Sequence, residues 1–528
     1  MLRLLSFAPS SLDLLFLSEA NITVLICVQC KEDLVQEPPG IRFIVACPRS
    51  GSTLLMRVFS EASSCATTSR LVLMGKMGDH GICPNFQPDH TILQNPQEHP
   101  VYKSAQALGK HFLVSKEEFG NDRRKGECDY DVFPDTSKYT MVKPAFLLRD
   151  PIRTFDSWKS VGWLDVESLI CCYKKLFLML DASDTSYCLL YERLVHNPEI
   201  EIESLCKWWG IPFEANMLTF TRPFGSFFFN NDRERRIYCE ENPRGLFTNV
   251  RAHQNITPDI PSHNLLTNTE MEYIENQIGK LYLKCWGAKM EELRKALEEK
   301  TWFAFDLDDT LHDYRGASRR AAETVFQLIR IGYRTDVDAL RAAYGRILKQ
   351  TTTGAFTDGK TSYEYRHERI TALLSEFSIP IAPGLVEDLV ILYKSELGKY
   401  LELKPGARSL LTALKAMGKK IVIITEGPQD GQEWTLKELK IEDKVDYLAT
   451  TNFFRTSKVD GLFGKVLEHL NIDAASMVYV GDSKDRDMVP AMKEGIFSIL
   501  YAEHECLSLD KTPVRINTLK KLETILKG

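Results

Sequence analysis

The stretch that most constrains the fold of this 528-residue chain is the apolar run Trp302–Phe305, which leads directly into Asp306 and Asp308. An uninterrupted apolar run is typical of a strand buried on both faces, as in a parallel sheet. Such a strand delivers the next side chains to its carboxyl end, where two carboxylates two residues apart can hold a divalent cation. One carboxylate can also be a nucleophile, so the stretch indicates phosphoryl transfer.

Three later segments supply matching chemistry. The apolar run 421–424 ends at Thr425, whose hydroxyl can donate a hydrogen bond to a phosphoryl oxygen. Lys458 adds a point positive charge for crowded anions. A third apolar run ends just before Asp482, and Asp487 follows. Because ligands bind beyond the carboxyl ends of parallel strands, we expect these side chains to converge around one cation.

These four segments, in this order, resemble the motifs of the haloacid dehalogenase (HAD) superfamily across residues 301–528. The resemblance implies that Asp306 is the nucleophile and that Asp308 is the general acid and base. The implied Mg²⁺ ligands are Asp306, the main-chain carbonyl of Asp308, Asp482 and, close behind, Asp487. Thr425 would fix an equatorial phosphoryl oxygen, and Lys458 would offset repulsion between the carboxylates and a dianionic substrate.

The dehalogenating members of this superfamily lack a carboxylate at the position of Asp308. Its presence therefore favours phosphate ester hydrolysis, with a dehalogenase-type hydrolase as an alternative. Between the first and second motifs, the segment 312–401 changes to amphipathic helical patterns. The family inserts a helical cap at this point, which closes over the substrate and excludes water. At its hinge, His312, Asp313 and Tyr314 either contact substrate or form a solvated loop.

A second phosphate-binding pattern lies near the start of the chain. The apolar run 41–47 is followed by a Gly/Ser turn at 48–53 and a helical pattern at 54–59. Strand, turn and helix amino terminus together make a phosphate cradle, because backbone N–H groups and the helix dipole converge on one point. The GxxxxGK[ST] spacing is missing, so ATP or GTP hydrolysis is not indicated.

The string Pro-Arg-Ser-Gly-Ser-Thr at 48–53 resembles the 5′-phosphosulfate loop of the sulfotransferase family, and the resemblance extends over residues 41–287. It implies a P-loop domain whose sulfuryl donor is 3′-phosphoadenosine 5′-phosphosulfate. Arg49 would bind the bridging and sulfuryl oxygens, and Arg149 with Ser157 would form the pair that binds the 3′-phosphate. The implied donor-binding residues are Arg49, Ser50, Gly51, Ser52, Thr53, Arg149 and Ser157.

Two parts of the sulfotransferase pattern have no assigned counterpart. The basic, glycine-containing loop that completes donor binding is missing, although Arg233, Arg235 and Arg236 could substitute for it. The catalytic base is also not placed, and the eligible residues are His80, His90, His111, Glu117 and Glu118.

We predict an α/β protein with two domains, each a mainly parallel sheet with flanking helices. The predicted division is an amino-terminal extension at 1–40, the sulfotransferase-like domain at 41–287, a charged helical linker at 288–300 and the HAD-like domain at 301–528. A hydrophobic content of 44% is ample for two or three packed cores.

Composition and charge limit the classes of partner that we expect this chain to bind. A net charge of -6 with mixed signs argues against nucleic-acid binding. The leucine-rich start of the chain is interrupted by Pro9 and Asp13, so it is a poor signal peptide and too short to span a bilayer. The pair Cys27 and Cys30 lacks a second pair or a nearby histidine, which argues against a zinc site. We expect reduced thiols, a cytoplasmic location and no membrane partner.

The expected function is bifunctional. A Mg²⁺-dependent phosphatase would act through an aspartyl-phosphate on a small phosphomonoester, beside a domain that transfers a sulfuryl group to an acceptor, as in small-molecule biosynthesis. One alternative is that the amino-terminal half is a non-catalytic binding module that recruits substrate or partner. Another is that the domains act in sequence, either on one metabolite or with the phosphatase removing the 3′-phosphate from the spent donor.

Overall fold

Two parallel sheets, one in each half of the chain, organise the computed structural model. It describes residues 40–72, 88–118, 120, 128, 131–133, 137–182, 186–229, 235–258 and 265–528. The predicted extension at 1–40, apart from Gly40, lies outside the described residues, as do Cys27 and Cys30.

The amino-terminal sheet has the strand order β2-β3-β1-β4-β5, and all its strand pairs are parallel. Its strands are β1 (Ile41–Ala46), β2 (Cys65–Ser69), β3 (Phe112–Glu118), β4 (Ala145–Leu148) and β5 (Tyr187–Leu190). The α-helices of this half are α1 (Ser52–Glu61), α2 (Thr91–Gln94), α3 (Pro100–Ala107), α4 (Ser137–Val142), α5 (Pro151–Ser160), α6 (Val166–Asp181), α7 (Tyr191–His196), α8 (Pro198–Trp209), α9 (Thr248–Ala252), α10 (Asn268–Ile274) and α11 (Lys280–Lys284).

The carboxyl-terminal sheet has the order β11-β10-β9-β6-β7-β8 and is also parallel. Its strands are β6 (Trp302–Phe305), β7 (Lys420–Thr425), β8 (Tyr447–Thr450), β9 (Met477–Gly481), β10 (Phe497–Tyr501) and β11 (Val514–Ile516). The α-helices are α12 (Ala288–Glu298), α13 (Tyr314–Tyr333), α14 (Val337–Thr351), α15 (Ser362–Glu376), α16 (Leu385–Tyr400), α17 (Ala407–Ala416), α18 (Gln429–Glu438), α19 (Thr451–Phe454), α20 (Phe463–Leu470), α21 (Val489–Lys493) and α22 (Leu519–Lys527). The predicted α/β class with parallel sheets is confirmed.

The central strands are apolar because both of their faces are covered. Along β6, Phe303 and Phe305 join one buried cluster while Ala304 joins another, as the alternation of side chains in a strand requires. Helices α13 to α16 lie within the predicted cap segment and bury a separate apolar core of their own. Among the described residues, no helix combines the length and the apolar composition that are needed to cross a membrane.

The two halves share a core. The described residues pack as one compact unit, and one apolar cluster contains Phe43 of the first sheet and Phe303 of the second. The predicted linker is the helix α12, whose Leu293 and Leu297 are buried in that same cluster. The domain boundaries at 41–287, 288–300 and 301–528 therefore remain predictions.

A buried charged cluster also crosses between the halves. Lys521 on α22 is fully buried and forms ion pairs with Asp150 Oδ2, at 3.1 Å, and with Glu275. Asn517 donates to Asp150 at 3.2 Å, and Thr518 donates to Glu275 at 3.2 Å. Because Asp150 follows β4 and caps α5, this cluster connects the last helix of the chain to the turn that carries Arg149.

Candidate active site

Three neighbouring strands bring the predicted catalytic residues to one edge of the second sheet. β9, β6 and β7 lie side by side and run parallel, so Asp306, Thr425 and Asp482 all emerge at the carboxyl ends. The backbone N–H of Asp306 donates to the Val480 carbonyl at 2.9 Å, which fixes the end of β6 against β9. The apolar runs of the sequence end where these three strands end, and the catalytic and metal-binding roles of the side chains stay predictions.

The acidic side chains meet as the predicted metal site requires. Asp306, Asp482 and Asp487 each offer a carboxylate oxygen, and these oxygens lie within 4.8 Å of one another. A side chain in place of Gly481 would put its Cβ only 2.6 Å from Asp487 Cγ, so glycine is what admits Asp487 to the cluster. Carboxylate oxygens are the ligands that Mg²⁺ prefers, so this donor set fits the ion. The main-chain carbonyl of Asp308 as a ligand stays a prediction.

Burial makes this cluster of carboxylates electrostatically unfavourable when no metal ion is bound. Burial raises the pKa of Asp306 well above its usual value; Lys458 opposes this, and the charges of Asp487 and Asp482 raise it further. Burial, followed by the charge of Asp487, also raises the pKa of Asp482. A bound divalent cation would therefore hold these carboxyl groups in their ionised form.

Lys458 occupies the centre that its predicted role requires. Its Nζ donates to Asp306 Oδ1 at 2.6 Å, to Asp487 Oδ1 at 2.6 Å and to the Tyr479 hydroxyl at 2.9 Å. Although burial lowers it, the charges of Asp306 and Asp487 raise the pKa of Lys458 above its usual value. The ammonium group therefore stays charged and sets the orientation of the Asp306 carboxylate.

Thr425 carries an unsatisfied donor. Its side chain is buried at the end of β7, and its Oγ1 has no hydrogen-bond partner in the part of the chain that the structure describes. A buried hydroxyl without a partner costs free energy, and such exceptions need an explanation. A phosphoryl oxygen at the carboxyl end of β7 would supply the missing acceptor, as the sequence predicts.

Asp308 is held apart from the acidic cluster. Its Oδ1 lies 2.9 Å from Nε2 of the fully buried His312, and its Oδ2 accepts from Gln432 Nε2 at 3.2 Å. Its side chain is 23% exposed, against 7% for that of Asp306, so it can reach a leaving group or a water molecule. His312 is therefore not part of a solvated loop, and it supports Asp308, while a contact of His312 with substrate stays a prediction.

Two further site residues escaped the sequence analysis. Tyr479 lies within the buried strand β9, and its hydroxyl donates to Asp487 Oδ1 at 2.7 Å and approaches Lys458. A tyrosine among aliphatic residues in a buried strand indicates a polar group nearby, because its hydroxyl needs a hydrogen-bond partner. Gln432 lies on α18 and gave no signal, since its partner Asp308 is 124 residues away.

The phosphate-loop residues of the amino-terminal half also converge. Arg49 Nε donates to Ser157 Oγ at 3.0 Å, and Arg149 Nη1 donates to the Arg49 carbonyl at 3.1 Å. Gly51 has φ +99°, and a Cβ there would lie 2.5 Å from the ring of Tyr191, so only glycine fits this turn. The predicted residues Arg49 of the loop, Arg149 after β4 and Ser157 of α5 therefore meet at one place.

The loop hydroxyls are already engaged. Ser50 Oγ donates to the Cys47 carbonyl at 2.7 Å, and Thr53 Oγ1 accepts from Lys116 Nζ at 3.0 Å. Ser52 donates to the carboxylate of Glu118, which pairs with Lys116 at 2.9 Å. Although burial raises it, Lys116 and Ser52 lower the pKa of Glu118 below its usual value. An ionised carboxylate thus contacts the loop that was predicted to hold phosphate.

Glu118 is the candidate base that the structure brings to the loop. His111 directly precedes β3, at the opposite end of the strand, and His90 contacts the Asp131 carbonyl at 2.9 Å. Glu117 accepts from Ser115 Oγ at 2.6 Å. His80 and Arg233 lie outside the described residues. The two remaining basic candidates form exposed ion pairs, Arg235 with Glu240 at 3.4 Å and Arg236 with Glu241 at 3.8 Å.

Comparison with known proteins points to the second half of the chain. A family model described as haloacid dehalogenase-like hydrolase matches residues 303–501. The chain is 26% identical over 227 residues to a glyceraldehyde 3-phosphate phosphatase from Pyrococcus abyssi. The aligned region covers 42% of this chain and 91% of that protein. The chain is 28% identical over 231 residues to a glyceraldehyde 3-phosphate phosphatase from Methanocaldococcus jannaschii, with 42% and 96% covered.

Solved structures resemble the chain at lower identity. The putative HAD-hydrolase YfnB from Bacillus subtilis bound to magnesium is 21% identical, with a TM-score of 0.35, and covers 43% of this chain and 99% of its own. A HAD phosphatase from Thermococcus onnurineus is 22% identical, with a TM-score of 0.33 and coverages of 43% and 98%. The family match and the curated relatives confirm the HAD-like hydrolase domain at residues 303–501, and none of these comparisons supports a sulfotransferase-like domain.

Proposed function

We propose that the haloacid dehalogenase-like domain of this chain is a Mg²⁺-dependent phosphatase that acts through an aspartyl-phosphate on Asp306. The observation that carries this proposal is the convergence of Asp306, Asp482 and Asp487 around the buried ammonium of Lys458. A divalent ion held by these three carboxylates would neutralise charge on the transferring phosphoryl group. The phosphatase names of the two curated relatives support the same reaction class.

The first half-reaction transfers the phosphoryl group to the protein. A carboxylate oxygen of Asp306 attacks phosphorus, and the bond from phosphorus to the ester oxygen breaks. Asp308, in its protonated form, gives its proton to the departing alkoxide, so a neutral alcohol leaves. Lys458 holds the attacking carboxylate in place, and the Thr425 hydroxyl, which has no partner among the described residues, donates to a phosphoryl oxygen.

The second half-reaction restores the protein. Asp308, now a carboxylate, takes a proton from water, and the resulting hydroxide attacks phosphorus and releases inorganic phosphate from Asp306. His312 and Gln432 hold Asp308 in position through both steps, since each binds one of its oxygens. The presence of Asp308 supports phosphate ester hydrolysis over the dehalogenase alternative, and the substrate proposed is a small phosphomonoester.

Metal removal tests this function. We expect the purified chain to hydrolyse p-nitrophenyl phosphate and small phosphate esters with Mg²⁺, and to lose that activity when a chelator is added, because the buried carboxylates then lack their cation. Added Mg²⁺ should restore the rate. Turnover at the same rate after exhaustive chelation would contradict the proposed chemistry, as would a panel of esters in which none is hydrolysed.

A second candidate function concerns the amino-terminal half. We propose that it binds an adenosine 3′-phosphate nucleotide, the spent or loaded sulfuryl donor, at the loop 48–53. The convergence of Arg49, Arg149 and Ser157 supports binding. The Ser52 hydroxyl already donates to the carboxylate of Glu118, so we assign the phosphates of the nucleotide to the arginines and not to Ser52.

Calorimetry with 3′-phosphoadenosine 5′-phosphate tests this second function. We expect measurable binding that weakens at least about tenfold in Arg149→Ala, because a guanidinium that pairs with phosphate is lost. The control Lys103→Ala, whose side chain forms an exposed ion pair with Glu98, should bind as the parent does. Undetectable binding to the parent chain would refute the proposal. Adenosine 5′-phosphate in the same mixture would show that the phosphatase consumes this nucleotide.

A further inference from the structure

Two arginines of the cap segment are buried without an acidic partner. Arg366 and Arg369 on α15 are each 8% exposed, and neither forms an ion pair within the described part of the chain. The guanidinium of Arg366 lies over the ring of Tyr393, 5.5 Å from its centroid. Arg369 Nε donates to Thr351 Oγ1 at 2.8 Å, while its Nη2 is buried and has no partner among those residues. Buried charges are normally paired, so this arrangement calls for an anion.

The helix that carries these arginines is docked on the catalytic half. Ser362, at the start of α15, donates through its N–H at 2.9 Å and its Oγ at 2.7 Å to the carboxylate of Asp430 on α18. The same helix α18 carries Gln432, which binds Asp308. Positions 362, 366 and 369 are spaced by four and three residues, so they share one face of α15. Arg366 and Arg369 therefore lie on the same face of α15 as Ser362, the residue that contacts α18.

A chain of contacts leads from this face to Asp308. Asp308 contacts His312, and the His312 and Tyr314 rings meet edge to face with centroids 6.0 Å apart. Burial raises the pKa of Tyr314 most, Tyr393 and Asp308 raise it further, and Arg366 and Arg369 lower it. Tyr314 also packs against the cap core that contains Tyr393, the ring over which the Arg366 guanidinium lies.

We propose that Arg366 and Arg369 bind a second anionic group on the substrate, a carboxylate or a further phosphate on the leaving group of the ester. The inference rests on the proposed phosphatase function and narrows its substrate class to phosphate esters of small acids. In the proposed reaction Asp308 acts on the leaving-group oxygen, and we place the part of the substrate beyond that oxygen under the cap, near the arginines. Such a site discriminates strongly between phosphate esters with an anionic and with an uncharged leaving group, because the latter would leave both guanidinium groups unpaired.

The test compares a substrate that carries a carboxylate with one that does not. We expect the parent chain to have a kcat/KM at least about tenfold higher for 3-phosphoglycerate than for glycerol 3-phosphate. Arg366→Met and Arg369→Met should each lower kcat/KM for 3-phosphoglycerate about 100-fold, mainly through KM, and change it less than about threefold for glycerol 3-phosphate. Arg366→Lys should recover part of the loss, because it keeps the charge.

Controls separate this inference from its alternatives. Arg346→Met removes an exposed cap arginine that pairs with Glu376, and it should leave both substrates unaffected. An equal loss for the two substrates in Arg366→Met, or no preference in the parent chain, would overturn the inference and leave the arginines as stacking partners of aromatic rings. Calorimetry of the two esters with Asp306→Asn repeats the comparison without turnover. A chain that hydrolyses neither ester yet binds 3-phosphoglycerate in an Arg366-dependent manner would refute the phosphatase and retain the anion site.

Discussion

We expect Asp306→Asn to lower kcat for phosphate ester hydrolysis by about 10³-fold or more, because an amide cannot replace the attacking carboxylate. The fold should persist, since the amide has the same shape and Lys458 keeps its contacts with Asp487 and Tyr479. Burial already disfavours the ionised form of Asp306, so the metal-free variant should be at least as stable as the parent. Steady-state kinetics with Mg²⁺ and thermal unfolding in a chelator measure the two effects.

Asp485→Asn is the matched control for this variant. It removes a carboxylate from the loop that supplies Asp482 and Asp487, but its own side chain is exposed and lies outside the acidic cluster. Its kcat should stay within about threefold of the parent, as is usual for a surface charge. Undiminished turnover in Asp306→Asn, or an equal loss in both variants, would contradict the assignment of the nucleophile.

We expect Lys521→Met to lower the free energy of unfolding by about 3–5 kcal/mol, because Asp150 and Glu275 are then left buried without a counter-charge. The two carboxylates are at most 4% exposed and share this one ammonium group. Urea unfolding of the full chain measures the change. Lys520→Met is the control: its side chain is 23% exposed, it pairs with Glu523, and it should cost about 0–1 kcal/mol.

The same variant should weaken nucleotide binding in the amino-terminal half. Asp150 follows Arg149 and accepts from the first N–H groups of α5, the helix that carries Ser157. Combining Lys521→Met with Asp150→Asn and Glu275→Gln removes the unpaired charges and should recover much of the lost stability. A stability loss below about 1 kcal/mol in Lys521→Met would show that this cluster does not hold the halves together.

The sequence predicted which side chains meet at the carboxyl edge of the second sheet because local signals were sufficient there. Apolar runs ending at Asp306, Thr425 and Asp482 define three strand ends, and parallel pairing brings those ends together. Lys458 was found by its order among these motifs, and the structure places it between Asp306 and Asp487. In these cases the end of an apolar run in the sequence predicts where the strand ends, and therefore where the next side chain lies.

Other features depend on contacts that no local pattern encodes. Lys521 lies 371 residues from Asp150, and a lysine in an amphipathic helix ordinarily predicts an exposed position. Arg366 and Arg369 fall on a helix face that becomes buried only when α15 packs against the rest of the cap and against α18. In the amino-terminal half, the loop and Arg149 were found from sequence, but the carboxylate of Glu118 against Ser52 was not.

Identification of the residue that carries the phosphoryl group during turnover tests the central claim most directly. The full chain is mixed with Mg²⁺ and a radiolabelled phosphate ester, quenched in acid, reduced with borohydride, and mapped by peptide mass spectrometry. The account predicts an acid-stable, base-labile acyl phosphate, with reduction at Asp306 alone and none in Asp306→Asn. Label on another side chain, or active hydrolysis with no trapped phosphoprotein, would contradict it.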